Sequence, residues 1–171
     1  MTSATRRRPS PALSIDIDII RESGLWDAEP DIDAALHHAI AEAAVEFALG
    51  PAELAIILTD DARIQQLNRE WRGFDKPTNV LSFPVNERGL GKRPPLLIGD
   101  IVIAYETTRR EALAEGTPFR HHLAHLTVHG FLHLRGYDHE ADDEAEAMER
   151  LERQILARLD IPDPYAARNA G

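Results

Sequence analysis

At 171 residues and 43% hydrophobic content, the chain is sized for one domain with a single core. It has no cysteine, which excludes disulfides and thiolate metal sites and agrees with a reducing cytoplasm. No apolar run approaches the ~20 residues of a membrane span, and a formal net charge of -10 argues at first against a nucleic-acid partner, because phosphate binding draws on Lys and Arg.

Charge is segregated, however. Residues 62–95 carry seven basic side chains against three acidic, whereas Glu140 to Asp160 carries eight acidic against three basic. The chain can therefore keep one positive face, although ordinary surface charge would give the same count. Residues 1–12, with Arg6, Arg7 and Arg8 among Ser and Pro and no signal-type apolar stretch behind them, read as a disordered basic arm.

In chain order, Leu13 to Ile20 alternates apolar and polar residues with period two, as a strand with one buried face does. Asp31 is placed to cap a helix on which Ile32, Leu36, Ile40, Ala43 and Phe47 recur at helical spacing, with Gly50-Pro51 as its stop and His37 and His38 on its surface. Glu53 to Thr59 is a second strand. The Asp60-Asp61 pair then caps a helix that runs to about Trp71, buries Ile64, Leu67 and Trp71, and delivers Arg72 beside Gly73. Asn79 to Val85 suits a third strand, at an edge because of Pro84, and Asn86 to Pro95 a flexible loop.

Leu96 to Ala104 is a fourth strand with a bulge or close backbone approach at Gly99. Asp100, a carboxylate in an apolar strand, needs a partner if buried; a group supporting the site and a plain edge position are both open readings. Tyr105 to Ala114 is helical up to Gly116. Thr117 as N-cap and Pro118 as first helical residue open a helix to Arg135, on which His121, His125, His129 and His133 recur every four residues. Glu140 to Asp160 forms the last helix, with acids in its first turns facing the positive end of the dipole and Met148, Leu151, Ile155 and Leu159 as its apolar seam.

The chemistry concentrates in His129-Gly130-Phe131-Leu132-His133-Leu134-Arg135-Gly136-Tyr137-Asp138-His139. Two histidines four apart on one helix face can share one cation. Gly136, just past the helix end, permits the left-handed backbone that returns His139 to the same ion. Three imidazoles without cysteine describe a borderline metal such as Zn2+, with a fourth position left to water as in catalytic sites. The same spacing is that of the metzincin proteases, but Gly130 stands where they carry the glutamate that acts as general base. For His121, His122 and His125 the residues favour polar surface or satisfied histidines, with at most a supporting role for His125. Arg72 reads either as a guanidinium able to pair with phosphate oxygens or as a cation at a helix C-terminus.

The run HGFLHLRGYDH resembles the signature of the YbeY family, bacterial endoribonucleases and ribosomal RNA maturation factors, and Arg72 to Pro84 (RGFDKPTNVLSFP) resembles that family's second motif. Gly99-Asp100-Ile101 and Asp163-Pro164-Tyr165 look like further matches. The resemblance implies a metal-dependent single-strand-specific endoribonuclease of the cytoplasm that works on precursor ribosomal RNA at the ribosome or its small subunit. It implies maturation of the 3′ end of the small-subunit RNA, a part in ribosome quality control, metal ligands His129, His133 and His139, and Arg72 as important for cleavage. The alternatives are a zincin-like metallopeptidase, with Asp138 as its base, and a non-catalytic ribosome-assembly factor with a structural metal. The expected architecture is α+β: a mixed sheet of about four strands with surrounding helices and a zincin-like metal site on a central helix. Residues 13–165 would form a single metal-dependent hydrolase domain and 166–171 a C-terminal tail.

Overall fold

Every second residue of the first strand is an isoleucine, and that alternation places the sheet. In a computed structural model that describes residues 15–85, 95–138 and 140–166, strand β1 (Ile15–Arg21) turns Ile15, Ile17 and Ile19 to the main core and Asp16 and Asp18 away from it. The basic arm, residues 13 and 14 of the first expected strand, residues 86–94 of the expected loop, His139 and the tail from residue 167 lie outside the described residues.

Strand β2 (Ala52–Thr59) repeats the pattern, burying Ala52, Leu54, Ile56 and Leu58. It pairs in parallel with β1 on one side and with β4 (Leu96–Ala104) on the other, while β3 (Val80–Pro84) runs antiparallel on the outer edge of β4, giving the order β1-β2-β4-β3. Pro84 is tolerated because, among the described residues, no further strand lies beyond that edge to receive an N–H. The expected bulge is present: the β2–β4 register slips between Glu53 and Leu54 opposite Gly99. Gly99 has φ 142°, and a β-carbon there would lie 2.3 Å from the Phe83 carbonyl oxygen, so only glycine fits.

Helices cover both faces. Helices α1 (Asp33–Ala44), α4 (Phe119–Leu134) and α5 (Asp142–Arg158) pack with the main core on one face, and α4 lies against β3 and β4. On the other face α2 (Asp61–Arg72) closes a smaller cluster of Ile64, Leu81, Val102 and Ala104. Helix α3 (Tyr105–Glu115) follows β4 directly and contacts α4. No helix among the described residues is long and apolar enough to cross a membrane.

Several local expectations are corrected. Asp31 caps nothing, since Ile32 is the N-cap residue of α1 and makes no side-chain bond. Pro118, rather than Thr117, holds the N-cap position of α4. The acids of α5 lie in its first turn, but the cap residue Ala141 has no side-chain bond to offer. A 3-10 turn at Gly24–Ala28, capped by Ser23, carries Trp26 into the core, where its indole donates to the Thr59 carbonyl at 2.8 Å. Trp71 is 70% exposed instead of buried.

Candidate metal centre

Helix α4 is nearly immersed. From His122 to Leu134 its only partly exposed residues are His125, His129 and His133, so what the helix offers to solvent is a strip of imidazoles. Gly130 lets α4 come close to the sheet, because a β-carbon there would lie 2.9 Å from Ile101 Cγ2 and 3.1 Å from Ser82 Oγ. The Ser82 hydroxyl donates to the Gly130 carbonyl at 2.9 Å and ties the helix to β3. The glycine standing where a peptidase would need its base is thus a packing requirement, and a carboxylate at 130 would run into the sheet.

His129 Nε2 and His133 Nε2 point at one another 3.0 Å apart. Two nitrogens bound to one tetrahedral zinc at about 2.0–2.1 Å would be roughly 3.3 Å apart, so the pair already has the spacing of shared ligands. Behind them is Glu152 of α5, 1% exposed, whose Oε1 accepts the His129 Nδ1 hydrogen at 2.6 Å. That bond fixes the tautomer, leaving Nε2 as the donor atom, which is how a carboxylate behind a metal-bound imidazole orients it. Glu152 Oε2 accepts from His125 Nε2 at 2.8 Å and from the hydroxyl of Tyr165, which itself lies 3.2 Å from His125 Nε2. Burial would push the Glu152 carboxyl up, but the hydrogen bonds and charges of His125 and His129 outweigh it and hold the group at about 2.

Of the expected ligands, the structure brings His129 and His133 together, while His139 lies outside the described residues, which hold no group of three or more metal-binding side chains. The donor set fits a transition metal on two independent grounds, the convergent Nε2 atoms and the carboxylate behind one of them. His125, the next imidazole along the strip, meets the same carboxylate, Glu152. His122 is neither surface nor satisfied: it is buried, 3.6 Å from Glu111 and 3.7 Å from Glu115, and its Nε2 has no hydrogen-bond partner among the described residues.

Arg72 is exposed at the end of α2, before Gly73, whose φ of 77° closes the helix. It makes no hydrogen bond or ion pair among the described residues, and no contact among them joins it to the histidines. Its helix lies on the opposite face of the sheet, and the two regions meet through β3: Trp71 packs edge-on to Phe83 at 5.9 Å, next to Ser82 on Gly130. Asp100 shares the face of Val102 and Ala104, away from α4, so it does not support the imidazoles. It lines a cleft of about 500 Å³ together with Asp16, Asp18 and Glu53. Burial raises its carboxyl above the usual range, and a cleft of four carboxylates repels phosphate.

Sequence reasoning missed Glu152 and Tyr165 as site residues. The signal for Glu152 was its position, four residues after Met148 and three before Ile155, on the buried face of α5.

Residues 22–160 match the family model described as Endoribonuclease YbeY. The chain is 60% identical over 154 residues to Endoribonuclease YbeY of Nitrobacter winogradskyi, covering 87% of this chain and 81% of the relative. It is 57% identical over 157 residues to the protein of the same name from a Bradyrhizobium species, covering 88% and 92%. The solution structure of TM1509 from Thermotoga maritima superposes with a TM-score of 0.54 at 25% identity, covering 84% of this chain and 91% of that one. This chain, with its four-stranded mixed sheet and its imidazole-lined central helix, belongs to the Endoribonuclease YbeY family.

Proposed function

We propose that the chain is a metal-dependent, single-strand-specific endoribonuclease of the cytoplasm. It acts in ribosomal RNA processing, notably 3′-end maturation of small-subunit RNA, and in ribosome quality control, with the ribosome or its small subunit as partner. Residues 13–165 form the one hydrolase domain. The observation that carries this reading is the meeting of His129 and His133 at 3.0 Å with Glu152 behind His129, in a chain of this family.

His129, His133 and His139 would hold one Zn2+ per chain, and the ion would supply Lewis acidity for phosphodiester hydrolysis. The remaining work falls to the chain itself. Glu152 keeps His129 in the tautomer that presents Nε2. Arg72, a planar fork of donors facing solvent, neutralises the non-bridging oxygens on which charge grows as the bond breaks. A peptidase reading loses ground because Gly130 has no room for the base.

The test is a cleavage assay on single-stranded RNA, with unstructured protein as the control substrate, alongside elemental analysis of the untagged chain. His133→Ala is expected to lose both bound metal and RNA cleavage while staying folded, since its side chain is only partly buried. Full cleavage by that variant would end the catalytic-metal reading. Unfolding of the wild type on chelation, with no cleavage when metal is restored, would leave a structural metal in an assembly factor.

A further inference from the structure

Two large aromatic side chains are exposed at the C-terminal corner of α2. Trp71 is 70% and Phe74 is 59% exposed, one on each side of Arg72 and Gly73. The corner is built rather than loose. Gly73 ends the helix, its N–H reaching the Arg69 carbonyl at 3.1 Å, and the Phe74 N–H reaches the Asn68 carbonyl at 3.3 Å. Asn68, 4% exposed, donates from its side-chain amide to the Lys76 carbonyl at 2.9 Å, so the turn from residue 73 to 76 is stitched to the helix. Trp71 is braced edge-on by Phe83 at 5.9 Å.

The charges around these rings suit a polyanion. The Lys76 ammonium lies 5.7 Å from the centre of the Phe74 ring, and Arg72 has its guanidinium in solvent. Arg69 balances Asp75 across 3.6 Å, which leaves Arg72 and Lys76 against Glu70 in a chain whose formal net charge is -10. Flat apolar faces between cations match a strand whose bases are unpaired. An aromatic ring stacks on any base, while the cations follow the phosphates. A duplex keeps its bases stacked inside and cannot use such rings.

Resting on the endoribonuclease reading, we propose that Trp71 and Phe74 are a base-stacking platform for single-stranded RNA. They flank Arg72 so that a nucleotide stacked on either ring brings a neighbouring phosphate to the guanidinium. The platform supplies the preference for unpaired strands, and Trp71 and Phe74 bind substrate without taking part in bond breaking.

The chain carries its own probe, for its only other tryptophan, Trp26, is 0% exposed and cannot meet a base. Full-length protein is mixed rapidly with short oligo-uridine or oligo-adenosine RNA, or with the duplex of the two, and tryptophan emission is read before turnover. Quenching by the single strands and not by the duplex is expected. Trp71→Ala and Phe74→Ala should each weaken single-strand binding roughly 5- to 100-fold, with the loss falling on KM more than on kcat and partly restored in Trp71→Phe. Both side chains are largely exposed, so melting curves should match the wild type. RNA cleavage with silent tryptophan emission, and with KM unchanged in both alanine variants, would overturn the platform and leave the endoribonuclease standing. Failure of the wild type to bind or cleave RNA at all would bring down the enzymatic reading and the platform with it.

Discussion

On the α4 side of the sheet the chemistry-bearing groups sit in a frame already closed around them: Glu152 is 1% exposed and accepts from His129, His125 and Tyr165. On the α2 side Arg72 stands in water at a helix end, between two uncovered aromatic rings. An ion must be held by donors fixed in advance, because any ligand that has to be reoriented costs affinity. A polymer must be admitted, moved and released, which favours side chains that face solvent and lose their freedom only on contact. The same edge strand, β3, touches both regions, with Ser82 on α4 and Phe83 on Trp71.

The contrast is broken most sharply at Arg72. Arg72→Ala is expected to lower RNA cleavage roughly 10²- to 10³-fold, the usual cost of removing a donor aimed at developing charge, while elemental analysis finds metal content unchanged. Loss of metal in that variant would mean that the open side also shapes the closed one. Next in size, Glu152→Gln should weaken metal affinity about 10- to 100-fold, as losses of a carboxylate behind a ligating histidine do. Competition with a chromophoric chelator measures this without any RNA, and wild-type affinity would show that His129 needs no such support.

The smallest effect belongs to the far end of α4, where Glu111 of α3 faces buried His122 and accepts from Asn79 at 3.1 Å. Burial pushes the Glu111 carboxyl up, but His122 and Asn79 outweigh it and hold the group below its ordinary 4.5. A depressed carboxyl adds stability above its unfolded pKa and loses it as pH falls through the folded one. Glu111→Gln should therefore melt lower than wild type at neutral pH, with the gap narrowing below about pH 4.5. A gap independent of pH would assign the loss to packing rather than charge.

Much of this was legible because local rules decide it. Alternation gave β1 its face, Asp60 accepts from the Arg63 N–H at 2.9 Å as an N-cap should, and Gly99 sits at the bulge. The convergence of His129 and His133 follows from helical spacing alone. Trp71 was misjudged because Ile64, Leu67 and Trp71 continue one apolar stripe, whereas burial depends on where the sheet ends beneath the helix. At Trp71 the ring meets the edge strand's Phe83 and stays 70% exposed. Glu152 was hidden among seven other acids between Glu140 and Asp160, and only the arrival of α5 against α4 separates it from them.

The Tyr165 hydroxyl on Glu152 ties together pieces made at different times during synthesis. A fragment that stops at Arg158 keeps both helices and their imidazoles, yet leaves Glu152 one donor short and His125 without its phenolic neighbour. Completion of the polypeptide as far as residue 165 is therefore what finishes the scaffold behind His129, and a tag or truncation placed just after α5 disturbs the centre from behind rather than from its open mouth.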